Sequence, residues 1–317
     1  MTARGAGEGL AGVGYDTPDG ATFHVTGNNS RVTGFGPSLD LLGASQILVD
    51  LGGAWTKSVN VLQGSSITVD GQGSELGSFD IDEGTVTVTN EAIANSFGTT
   101  IGDSGGSPSA SATVNVLGVG TQLNMTSATI GSASGVPGQL NVIAGNVDIT
   151  GTTTVNATGA VLIDDGGRLD SNDDFTVNGG TLDFRDGTLE IAGGVFDPGV
   201  ASLYQLAAFA ASDEVNLTLT GGASLAGTPS LRVGGTGTAN FTVSGGAQVT
   251  GNSTIISEAQ NAVGTVTVTG GSSTWTVLAN LTVALEGEGA LIIAQGGAVN
   301  SQTNGFVAFD PGSSGMV

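Results

Sequence analysis

The segment Thr265-Val-Thr-Val-Thr-Gly-Gly271 alternates threonine with valine and then breaks at a glycine doublet, the pattern of a short strand running into a turn. The same design returns as Asn216-Leu-Thr-Leu-Thr-Gly-Gly222 and Asn240-Phe-Thr-Val-Ser-Gly-Gly246. It returns once more, with one extra residue, as Ala290-Leu-Ile-Ile-Ala-Gln-Gly-Gly297. The doublets begin at 221, 245, 270 and 296, spacings of 24, 25 and 26. In the middle of the chain Gly138-Gln-Leu-Asn-Val, Gly159-Ala-Val-Leu-Ile and Gly180-Thr-Leu-Asp-Phe follow one another at 21 residues. Upstream, Ser58-Val-Asn-Val, Gly84-Thr-Val-Thr-Val and Ser111-Ala-Thr-Val-Asn-Val read as equivalent strands 26 and 27 residues apart.

A unit of 21 to 28 residues built only from short period-two stretches is too small for a propeller blade. It also lacks the leucine spacing of a leucine-rich repeat and the Gly-Gly-x-Gly-x-Asp nonapeptide of calcium-binding rolls. One coil per unit remains, each pairing its strands with the coils above and below. The expected fold is therefore all-β, a single parallel β-solenoid (parallel β-helix) over 1–317, with about 12 coils. With Gly138, Gly159 and Gly180 at position zero, Leu140, Val161, Leu182, Val142, Ile163 and Phe184 should point inward. Asn141, Leu162 and Asp183 should face solvent, Leu162 against its chemistry. Helical periodicity is confined to Ala201-Ser-Leu-Tyr-Gln-Leu-Ala-Ala-Phe-Ala-Ala-Ser212, read as a short interruption or cap over 199–214.

Composition agrees. Glycine reaches 56 of 317 residues, too many for an ordinary domain, while hydrophobic content of 38% is too high for a disordered linker. Aromatic residues make up only 5%, so the core must be aliphatic. Six basic residues stand against 28 acidic ones, a formal net charge of −22. That balance excludes nucleic acid as a partner and disfavours anionic membranes and acidic polysaccharides. With no cysteine the redox compartment is unmarked. No apolar run is long enough to insert in a membrane. Residues 1–14 have neither a basic nor an apolar region of signal-peptide type, and 315–317 fall in mid-pattern, so the chain reads as a piece of a longer protein.

The alternation of two half-units resembles the repeat of type V secretion (autotransporter) passengers and of large surface proteins carrying a PEP-CTERM sorting signal. The residues that carry the likeness are Gly264-Thr-Val-Thr-Val-Thr-Gly-Gly-Ser-Ser-Thr-Trp275, Leu281-Thr-Val-Ala and Gly289-Ala-Leu-Ile-Ile-Ala-Gln-Gly-Gly-Ala-Val299. A divergent copy runs from Ala112 through Leu123, Ala128-Thr-Ile-Gly131 and Gly138-Gln-Leu-Asn-Val-Ile-Ala-Gly145, with Leu123 near the place of the tryptophan. The resemblance covers about half the chain. It implies a right-handed parallel β-helix, export and surface display, and it supplies no catalytic residue.

Four features invite chemistry. Gly102-Asp-Ser-Gly-Gly-Ser107 looks like a serine-protease nucleophile segment, but the only histidine, His24, lacks the matching context, so the tract reads as a loop of small residues. Asp164, Asp165, Asp170, Asp173, Asp174, Asp183 and Asp186 form the densest acid cluster, with Arg168 and Arg185 between them. Solvated turns and coil-to-coil pairs are the main reading, including a weak Asp164–Arg185 pair. Calcium held within 164–174, or a catalytic carboxylate pair, is the alternative. Threonine-valine runs suggest an ice-binding ladder, but its columns break, Thr242-Thr267-Ile292 and Asn240-Thr265-Ala290. Trp55 and Trp275 are read as packing residues rather than sugar platforms. Seven Asn-x-Ser/Thr sites, Asn28, Asn156 and Asn280 among them, reflect composition.

The expected function is a structural or adhesive stalk segment of an exported bacterial surface protein, secreted or at the cell surface, and not an enzyme. No catalytic residue, cofactor or metal is expected. Surface glycans, other cell-surface proteins and end-to-end self-association are the expected partners. The alternative is a polysaccharide-binding or polysaccharide-processing β-helix protein.

Overall fold

The computed structural model describes residues 2–3, 20–28, 30–33, 38–102, 110–199 and 212–317. Their fold is all-β, a parallel β-solenoid of about 11 turns, with no helix among the described residues. The segment expected to cap the coil, 199–214, lies outside the described residues from 200 to 211, and Glu214 already opens the strand Glu214–Thr220. The chain divides into two compact units, Met1–Leu162 with Asn178–Thr181, and Ile163–Val177 with Leu182–Val317.

In the first unit, strict alternation turns every second side chain inward. One column runs Ile47, Ile67, Val86, Val114 and Leu140, its neighbour Val49, Val69, Val88, Val116 and Val142, each residue paired in register with the next. All ten are at most 1% exposed. A second side of the coil stacks Val32, Trp55, Leu76, Ala94, Leu123 and Val147. A third stacks Leu41, Val61, Ile81, Ile101, Ile130 and Val155. Each buried aliphatic side chain contributes about 1.5–3 kcal/mol over its exposed state, so the columns themselves stabilise the coils.

The second unit repeats the device with its own columns. Leu169, Leu189, Leu217, Phe241, Val266 and Leu291 form one, and Ile191, Leu219, Val243, Val268 and Ile293 another. Two of the four glycine doublets lie at its corners with two successive left-handed residues, φ 59° and 81° at Gly221–Gly222 and 56° and 86° at Gly245–Gly246, while at 270–271 and 296–297 only the first glycine is left-handed. Side-chain-bearing residues avoid that conformation. A different need fixes Gly138 in the first unit, where a Cβ would lie 1.9 Å from the Ile101 carbonyl oxygen.

Leu140, Val161, Leu182, Val142, Ile163 and Phe184 are all buried, and Asn141, Leu162 and Asp183 are half-exposed, as their positions require. The upstream alignment needs correction. Gly84 pairs with Ser65 on the preceding coil and with Ala112 on the following one, a short step and then a long one. The Ser58-Val-Asn-Val stretch belongs to another side of the coil, where Val59 pairs with Leu39 and Phe79. Short valine-alternating strands on two sides look alike in sequence. Only the coil length separates them, and it shrinks over the coils that link Gln46 to Ser66 and Ser65 to Gly84.

Buried hydroxyls tie successive corners together. Thr121 Oγ1 donates to the Leu117 carbonyl (2.8 Å) and accepts from the Glu91 N–H of the preceding coil (3.1 Å). Ser74 does the same, donating to the Asp70 carbonyl (2.6 Å) and accepting from Gly52 N–H (3.1 Å). Both side chains are fully buried. Each hydroxyl thus pins its own turn and the one before it.

Candidate functional site

The coil register determines which polar side chains share a surface. Arg31, Ala54 and Glu75 are successive residues of one outward column. Alanine between two long side chains, itself 4% exposed, leaves a notch, and two successive corners add Gly52, which lies under the Asn28 amide, and Gly73. The result is a groove of about 730 Å³ lined, among the described residues, by Asn28, Ser30, Arg31, Gly52, Ala54, Gly73 and Glu75. Asn28 lies directly on Gly52, where a Cβ would fall 2.0 Å from the amide oxygen. Arg31 and Glu75 are exposed and two rungs apart, about 10 Å along the column.

Arg31 differs from Arg168, Arg185 and Arg232. Arg168 bonds Asp170 (2.8 Å) and Glu190 (2.6 Å), Arg232 bonds Glu258 (2.8 Å), and Arg185 bonds Asp183 (2.5 Å). Arg31 makes no ion pair among the described residues, in a chain of net charge −22.

The acid cluster is distributed rather than convergent. Asp164 Oδ1 accepts from Asp165 N–H (2.9 Å), Asp174 Oδ1 from Val195 N–H (2.7 Å) and Asp186 Oδ1 from Glu214 N–H (3.3 Å), all at turns. The expected Arg185–Asp164 pair exists only at 4.0 Å. Arg185 turns instead to Asp183, two residues back in the strand that ends at Phe184. That bond and the Asp183 charge raise the guanidinium pKa. Burial acts against Arg168, but its bonds to Asp170 and Glu190 outweigh it and raise its pKa as well. Both arginines are 40% or more exposed, so these pairs contribute little to stability. Among the described residues no three carboxylate or imidazole groups are placed to hold a metal ion.

No family model, curated protein or solved structure matches this chain. Its own geometry must carry the assignment.

Trp55 and Trp275 are 1% and 0% exposed, so neither offers a ring face to a sugar. Trp55 meets Phe23 edge to face at 5.8 Å and donates its Nε1–H to the Lys57 carbonyl (2.9 Å), while Trp275 meets Phe241 at 6.4 Å. The threonine column is three rungs deep, Thr218, Thr242 and Thr267, and stops at Ile292, as the sequence spacing requires. Beside it the amide of Asn240 donates to Asn216 (2.8 Å). Asn156 bonds the Gly131 carbonyl and Asn280 accepts from Thr303. His24 Nε2 lies 2.9 Å from Asp50 Oδ2 on the next coil. Of the Gly102–Ser107 tract, 103–107 lie outside the described residues.

Sequence reading misses the Arg31 groove because its members belong to three coils and are separated by unequal stretches of chain. The signal that could have found it is an alanine at an outward position flanked by glycines in two successive corners.

Proposed function

We propose that this chain is a structural or adhesive stalk segment of an exported bacterial surface protein, with no catalytic role. One observation carries the reading: the polar side chains are largely spent on holding coil to coil. Asn141 bonds Asn115 (2.9 Å), Asn124 bonds Asn95 (2.8 Å), Asn60 bonds Asp40 (2.7 Å), and the aspartates of 164–186 cap turns or pair with arginine. Such chemistry serves a stiff ladder. The acidic surface keeps a repetitive protein soluble. Antibodies raised against this chain should label intact cells of the source organism. Labelling only after permeabilisation overturns the surface assignment. A second reading, a polysaccharide-binding solenoid, is favoured by the Arg31–Glu75 groove.

A further inference from the structure

We infer that the groove between Arg31 and Glu75 is a binding site for a neutral, polyhydroxylated ligand, a glycan without acidic groups. The inference rests on the polysaccharide-binding reading and specifies its site and ligand class.

The lining excludes other chemistries in turn. A cation would have to sit beside the Arg31 guanidinium, which presents only donors. An anion would meet Glu75 across the notch, with Asp50 and Asp70 at the ends of the strands leading into the same corners. An apolar ligand would find one methyl group, that of Ala54, and no other apolar side chain among the lining residues. What fits is a ligand whose every polar group both donates and accepts. Arg31 supplies forked donors, Glu75 supplies acceptors, and the amide of Asn28 supplies both. A pair of neighbouring sugar hydroxyls can satisfy each of these planar groups at two points. At Gly73 a Cβ would meet nothing nearer than the Gly52 Cα at 3.6 Å, so a sugar ring can come close to the backbone there.

The placement of the two charges supports the assignment. Arg31 and Glu75 lie on one column yet are not ion-paired to each other, so an incoming hydroxyl does not have to break a salt bridge. Groups held apart across a concave, small-residue floor are ready to receive a ligand.

The test uses the whole chain and saturation-transfer NMR with a panel of neutral oligosaccharides (gluco-, manno-, galacto- and chito-oligosaccharides) alongside oligogalacturonate as the acidic probe. At least one neutral sugar should bind. Arg31→Ala and Glu75→Gln should each weaken it about tenfold, the loss of one charge-assisted hydrogen bond. Ala54→Leu, which fills the floor, should abolish it, with far-UV circular dichroism unchanged in the Arg31 and Glu75 variants. Binding that survives all three substitutions overturns the groove and leaves the polysaccharide-binding reading standing. Binding of oligogalacturonate alone overturns the neutral ligand class. Binding of no sugar in the panel overturns the inference and the polysaccharide-binding reading together.

Discussion

Replacing Thr121 by valine removes one hydroxyl and almost nothing else. The β-branched shape is kept, and the side chain is fully buried, so neither a cavity nor an exposed group is created. Two hydrogen bonds disappear: the one donated to the Leu117 carbonyl at 2.8 Å and the one accepted from Glu91 N–H at 3.1 Å. Each is worth about 0.5–1.5 kcal/mol net, and together their loss costs about 2 kcal/mol. For a unit of this size that lowers the melting midpoint by about 4–8 °C. Circular dichroism melts give the midpoint, and hydrogen exchange locates the damage, because the Glu91 amide should lose its protection while amides of Val114 and Val116 keep theirs. Thr121→Ser retains the hydroxyl and should recover most of the loss. Thr113→Val, on the outward face of the neighbouring strand, should change the midpoint little. If Thr121→Val melts within about 1 °C of the parent and Glu91 exchange is unaltered, or if Thr121→Ser is as damaging as the valine, the corner hydroxyls do not join the coils.

Two further outcomes are expected. Burial works to raise the Asp50 pKa, but the Thr26 bond and the bond and charge of His24 outweigh it and hold the carboxyl below the usual aspartate range. The stability it contributes is therefore complete above the unfolded aspartate pKa and is lost as pH falls through the lower folded value. Urea midpoints from neutral to strongly acidic pH should fall less steeply for Asp50→Asn than for the parent, and parallel curves refute the clasp. Gly138→Ala, with its Cβ 1.9 Å from a carbonyl oxygen, should lose about 3 kcal/mol or more, whereas Gly271→Ala, with nothing within 4 Å, should be tolerated. Equal midpoints for the two in the same denaturation assay would remove the steric account.

The inward columns are legible in the sequence because a period of two admits no other arrangement once one face is buried. The burial of Leu140, Val161, Leu182, Val142, Ile163 and Phe184 and the Thr242–Thr267–Ile292 register both follow from spacing alone. Where coils shorten, spacing misleads, and Ser58 falls in with the wrong side of the coil for that reason. Arg185 illustrates a second limit. Vertical stacking correctly puts it beside Asp164, but an arginine side chain is long enough to reach back along its own chain, and Asp183 is nearer. Thr121 and Ser74 carry no signal at all. A single hydroxyl in a glycine-rich corner is indistinguishable from composition until the preceding coil is placed against it. The groove is hidden in the same way, since Arg31, Ala54 and Glu75 become neighbours only through the ladder.

Gly84 stands between the shorter step back to Ser65 and the longer step on to Ala112, yet its strand pairs without a gap on both sides. Most of the difference falls between Ile101 and Ala112, since only Asp82 and Glu83 separate the corresponding strands Phe79–Ile81 and Gly84–Thr89. Ile81 and Ile101 still stack. Such an architecture separates what it must conserve from what it can vary. The extra chain length at that junction leaves the hydrophobic register of the strands on either side undisturbed. The pairing of strands, and not the length of chain between them, is what holds one layer on the next.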